Sequence, residues 1–149
     1  MKERLLLLTI LVLAFLTRVV NLAADPSILL DSGQVGDEGY WLYNARNLAT
    51  WGKTAIDDFY HDFAAAPIFS FFAYVNFSVF GVGFFQARLV SAIAGIITLI
   101  FTYQIAKQVE KKVGLLATFL VAINTLLLLH NRLAVGESLS IMFATIGFY

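Results

Sequence analysis

Apolar residues in this chain come in long unbroken runs, with neither the two-residue alternation of a half-buried strand nor the one-sided stripe of a soluble helix. The first run, Leu5 to Ala24, reads LLLLTILVLAFLTRVVNLAA and holds a single charge, Arg18. A bilayer core takes about 20 residues of helix, so this run is a spanning candidate. Leu89 to Ala106 and Val113 to Leu129 are two more. Ile68 to Phe85 is a weaker one: Asn76, Ser78, Gly81 and Gly83 interrupt it, and Pro67 suits a first helical turn rather than mid-span. A last run starts near Ser138 and reaches Tyr149, about half the length a span needs. The expectation is an all-α integral membrane fold with spans at about 5–24, 88–107 and 113–131. An outer loop at about 25–87 carries short interfacial helices, and a truncated fourth span covers about 138–149. Such a chain reads as the N-terminal portion of a longer membrane protein. The Met-Lys-Glu-Arg opening resembles a signal peptide, but the apolar run is too long for one.

The polar segments between the runs orient the chain. Residues 25–62 hold seven acids (Asp25, Asp31, Asp37, Glu38, Asp57, Asp58, Asp62) and two bases (Arg46, Lys53). Lys107, Lys111 and Lys112 cluster after the second full run. If Ile68–Phe85 crossed, these lysines would lie opposite Lys2 and Arg4, against the positive-inside bias. The preferred topology therefore keeps that segment at the surface or re-entrant. Both basic clusters then face the cytoplasm, and the acidic loop lies on the outer side with His130 to Glu137.

Composition agrees. The mean hydropathy is +0.81, 60% of the residues are hydrophobic and only 13% are charged, against roughly 25% in soluble domains. The net charge is zero and there is no cysteine. No basic excess points to nucleic acid, and disulfide, thiolate-metal and cysteine-nucleophile chemistry are excluded.

Candidate chemistry gathers on the outer side in that topology: Asp37, Glu38, Arg88, His130, Arg132 and Glu137. Tyr40 to Ala49 reads as a helix with Asp37 as a possible N-cap and Glu38 in its first turn, where carboxylates complement the dipole. Trp41, Leu42, Ala45, Leu48 and Ala49 form an apolar face expected to lie flat on the membrane. Arg88 reads either as a snorkelling interfacial residue or as a two-pronged phosphate ligand. Arg132 and Glu137 are five apart, a poor spacing for a helical ion pair. Asp57, Asp58, His61 and Asp62 look metal-like but more often form a solvated loop. Gly81-Val82-Gly83 lacks the later glycine and the strand–helix setting of a nucleotide fingerprint.

The order of segments adds a resemblance. A first span is followed by a loop with Asp-Glu, then YNARNLATWGK (Tyr43 to Lys53) and a Pro-led apolar segment ending VFG. ARLVSAIAGIITLIFTYQIAKQV and LLATFLVAINTLLLLHNRLAVGESLSIMF complete it. This resembles the N-terminal module of the GT-C glycosyltransferases, in the branch holding the protein O-mannosyltransferases and the bacterial lipid A aminoarabinose and Rgt-type sugar transferases. The resemblance implies a multi-pass enzyme of the plasma membrane. Such an enzyme moves a sugar from a polyprenyl-phosphate donor to a lipid, glycan or protein acceptor on the extracytoplasmic side, inverting the anomeric centre. It implies catalytic roles for Asp37, the base, and Glu38 beside it. It places the donor phosphate near Arg88, Arg132 and, more loosely, Arg18, and makes Glu137 the second acidic position. A divalent metal is possible, and activity of these 149 residues alone is not expected. The family's proline pair before the surface helix is reduced to Ala66-Pro67, and its third-span proline is replaced by Asn124. A non-catalytic membrane protein, a transporter or lipid-binding subunit, is the competing reading.

Overall fold

The computed structural model describes residues 2–25, 37–54 and 66–149; within the helix that begins at Asp37, that residue's side chain is not described. Asp31, Asp57, Asp58, His61 and Asp62 lie outside the described residues. Every described regular element is helical: α1 (Lys2–Val19), a 3-10 turn (Leu22–Ala24), α2 (Asp37–Trp51), α3 (Pro67–Phe80), α4 (Phe84–Ala106), α5 (Lys111–Ala122), α6 (Thr125–Arg132) and α7 (Glu137–Phe148).

Among the described residues, two stretches are long and apolar enough to cross a membrane: Lys2–Ala24 and Phe84–Ala106. α1 ends where Asn21 takes a left-handed φ of 52°, a conformation that asparagine tolerates better than most residues. The chain then turns through Leu22–Ala24 and delivers Asp25 beside the end of the helix. α4 is the central element, in contact with every other helix except α2 among the stronger pairings. Its inner face is built from small residues (Ala87, Ser91, Ala92, Ala94, Gly95, Thr98), which let neighbouring backbones approach closely in lipid.

α3 has 14 residues, roughly 21 Å of helix, less than the ~30 Å hydrocarbon core. It turns into α4 at Gly81, whose φ of +82° favours a residue without a Cβ. Asn76 Nδ2 donates to the Gln86 carbonyl across this turn. Phe71, Phe72, Val75, Val79 and Phe80 remain exposed on its outer side. Its inner side (Phe69, Ala73, Phe77) packs with Leu42 and Ala45 of α2. Of the α2 face expected to rest on the membrane, Leu42 and Ala45 are buried against α3, while Trp41, Leu48 and Ala49 are half-buried.

The span expected at 113–131 is two helices bent by 61°. Asn124 causes the break: its backbone is extended, and its side chain accepts from Leu127 N at 3.0 Å, capping α6. Two contacts fix the relative directions of the helices. Lys111 Nζ lies 3.8 Å from Glu3 Oε2, joining the starts of α1 and α5. Arg132, at the end of α6, donates to Thr17 O and Val20 O at the end of α1. α1 and the α5–α6 pair therefore run the same way, with α4 returning between them. α7 runs alongside α4 until Tyr149 meets Phe101, ring centroids 5.4 Å apart.

Candidate active site

The end of the bundle where α1 stops and α4 starts holds three arginines, two of them fully enclosed. Arg88, one turn into α4, is 1% exposed, as is Glu38 in the first turn of α2. The two form a bidentate pair: Nε to Oε1 and Nη2 to Oε2, both 2.7 Å. Glu38 Oε1 also accepts from the Ala134 backbone N–H at 2.7 Å. Arg88 Nη1 donates to Leu22 O and Asp25 O, each at 2.8 Å. One ion pair thereby ties α2, α4, the turn after α1 and the loop between α6 and α7. Charge-assisted two-pronged bonds of this kind fix orientation as well as energy.

Arg132 builds a second clamp. Its Nε and Nη2 meet Asp25 Oδ2 and Oδ1 at 2.6 and 2.8 Å. Its donations to Thr17 O and Val20 O place a positive charge at the carbonyl end of α1, where the helix dipole favours it. The guanidinium holds the Asp25 carboxyl below the usual aspartate range, opposed by some desolvation; the Arg132 charge and, to a smaller extent, Arg88 act in the same direction. Arg132 does not pair with Glu137.

Arg18 is also 1% exposed. It donates to Asn131 Oδ1 at 3.0 Å and to Ala14 O at 3.1 Å. Asn131 Nδ2 donates to Ser138 Oγ, whose hydroxyl donates to the His130 carbonyl. This chain fits because residue 95 is glycine: a Cβ there would overlap the Asn131 amide.

The structure thus brings Arg18, Glu38, Arg88 and Arg132 to one end of the bundle. Of the arginines expected on a donor phosphate, Arg88 and Arg132 direct most of their donors at protein oxygens, and Arg18 directs two. Glu38, expected beside the catalytic base, has both carboxylate oxygens engaged by N–H groups. Asp37 is the first residue of α2, adjacent to the clamped Glu38. Glu137, first in α7, is exposed and stands between two cavities of about 280 and 290 Å³. The first is walled by Trp41, Pro67 and Phe143, the second by Leu127, His130 and Ile141. The His130 ring takes up Leu126 O through Nδ1 at 2.9 Å. No cluster of three or more metal-ligating side chains occurs among the described residues. Asp25, Gly95, Asn131 and Ser138 were not among the sequence candidates. The sequence signals for them are an aspartate just past a span and an asparagine next to Arg132.

A family model described as dolichyl-phosphate-mannose-protein mannosyltransferase matches residues 64–149. No curated protein and no solved structure matches the chain.

Proposed function

As the chain belongs to the dolichyl-phosphate-mannose-protein mannosyltransferase family of GT-C glycosyltransferases, we propose that it carries the base-bearing part of an enzyme that moves a sugar from a polyprenyl-phosphate donor to an acceptor outside the cytoplasm. The supporting observation is the Glu38–Arg88–Ala134 clamp. Of two adjacent carboxylates, the clamped one has both oxygens engaged by N–H donors and anchors the first turn of α2. The division of labour then leaves proton abstraction to Asp37 and positioning to Glu38.

In the reaction, Asp37 takes the proton of an acceptor hydroxyl as that oxygen attacks the anomeric carbon of the sugar. The bond between that carbon and the lipid-phosphate oxygen breaks, the phosphate leaves as an anion, and a single displacement inverts the centre. Arg88 and Arg132 are each balanced by a carboxylate, whereas the described acceptors of Arg18 are neutral. The positive charge of Arg18 favours an anion close to it, without requiring a direct bond. The tail of the donor calls for apolar surface beside the site. The groove of about 430 Å³ between α3, α4 and α7 offers it. The acceptor in this reading is a protein hydroxyl, following the description of the family.

The test is sugar transfer in membranes containing the protein, with polyprenyl-phosphate sugar as donor. Asp37→Asn is expected to lower transfer by about 10²–10⁴-fold, the usual worth of a general base, at unchanged protein level. Undiminished transfer by that variant would reject the assignment of the base.

A further inference from the structure

The opposite end of the bundle has a different charge balance. Lys2 and Arg4 open α1, Lys107 follows the last residue of α4, and Lys111 and Lys112 open α5. The two carboxylates there are Glu3 and Glu110, so five cations face two anions, a surplus of three. The one ion pair among the described residues at this end is Lys111–Glu3, at 3.8 Å with both side chains about half exposed or more. Lys107 Nζ lies 5.6 Å from the centre of the Tyr103 ring, a contact that leaves its charge unneutralised. Lys111 and Lys112 also stand at the positive pole of α5, where like charge is unfavourable unless an anion arrives from outside.

The fold holds these groups together. A Cβ at Gly114 would press on the Lys107 side chain and the Tyr103 ring at 3.0 Å, so the glycine lets α5 lie close against the end of α4. The Lys111–Glu3 contact brings in α1. The rim is thus a basic surface assembled from three helix ends, at the point where the spanning helices leave the hydrocarbon.

We propose that this rim binds the anionic phosphodiester headgroups of phospholipids in the adjoining leaflet. Basic residues at the foot of spanning helices attract anionic lipid over a range set by the Debye length, and three uncompensated charges suit several singly charged headgroups. The bilayer is the committed occupant because both flanking helices, α1 and α4, are apolar enough to place the rim at a membrane surface.

Purified protein in non-ionic detergent, titrated with phosphatidylglycerol or phosphatidylcholine and examined by native mass spectrometry, tests this. Phosphatidylglycerol is expected to be retained in preference. Lys107→Gln/Lys111→Gln/Lys112→Gln should weaken that retention roughly tenfold or more, given the contribution of each basic residue near an anionic surface. Lys53→Gln, outside the rim, should leave it unchanged. Should the triple variant fail to fold, Lys2→Gln/Arg4→Gln serves instead, with a smaller loss expected. Equal retention of the two lipids, or undiminished phosphatidylglycerol on a folded rim variant, overturns the proposal. So does complete displacement of the lipid by millimolar inorganic phosphate, which would make the rim a site for free phosphate.

Discussion

Arg88 and Glu38 sit in surroundings where neither charge has water to fall back on. Removing one partner leaves the other unpaired, at a cost of about 3–5 kcal/mol, while replacing both with apolar groups of similar size is far milder. Arg88→Met alone is therefore expected to lower the melting temperature in detergent steeply, and Glu38→Leu/Arg88→Met to recover most of the loss. A double variant as unstable as the single would contradict the clamp. Asp25 gives a pH-dependent counterpart. Its carboxyl titrates below the ordinary aspartate value in the folded chain, so its contribution to stability is complete above about pH 4. That contribution is lost as pH falls through the lowered folded value. Asp25→Asn should flatten the acid side of the stability profile relative to the parent. An unchanged acid limb would mean that the Arg132 pairing adds nothing. The three arginines were visible in the sequence because charge inside or at the edge of an apolar run is conspicuous. Two of their partners were not: Asn131 lies 113 residues from Arg18 and Asp25 lies 107 residues from Arg132, and nothing local marks either side chain as a ligand.

At the scale of elements, close approach and interruption decide the geometry. α4 and α6 meet across Gly95, with the Asn131 amide in the space that a side chain would fill. Gly95→Ala is expected to cost about 1–3 kcal/mol by overpacking and to release Arg18 from Asn131. A thermal melt and the accessibility of a reporter on α6 would register both, and an unperturbed melt would mean that α6 can shift freely. Run length and hydropathy foretold the two long helices, α1 and α4. They did not foretell the 61° bend, because Asn124 in an apolar run is compatible with both a continuous span and a capped break. The apolar face of α2 was legible, but not its partner, since nothing within α2 marks Phe69, Ala73 and Phe77 of α3 as the side chains it meets.

For the whole molecule, one arrangement underlies both the catalytic reading and the lipid-binding rim. Paired guanidinium groups occupy one end of the bundle and uncompensated lysines the other, with α1, α4 and the α5–α6 pair between. A membrane around α1 and α4 would separate the two ends, and the proposed orientation, taken from the positive-inside bias, puts the lysines in the cytoplasm. The chain contains no cysteine, so a single introduced cysteine is an unambiguous reporter. Lys53→Cys, before α3, and Val82→Cys, before α4, should react with a membrane-impermeant maleimide from the outer face of sealed cells. Lys111→Cys should react only after the membrane is opened. If Lys53→Cys labels with Lys111→Cys instead, α3 crosses the bilayer and the two ends do not lie on opposite faces as described.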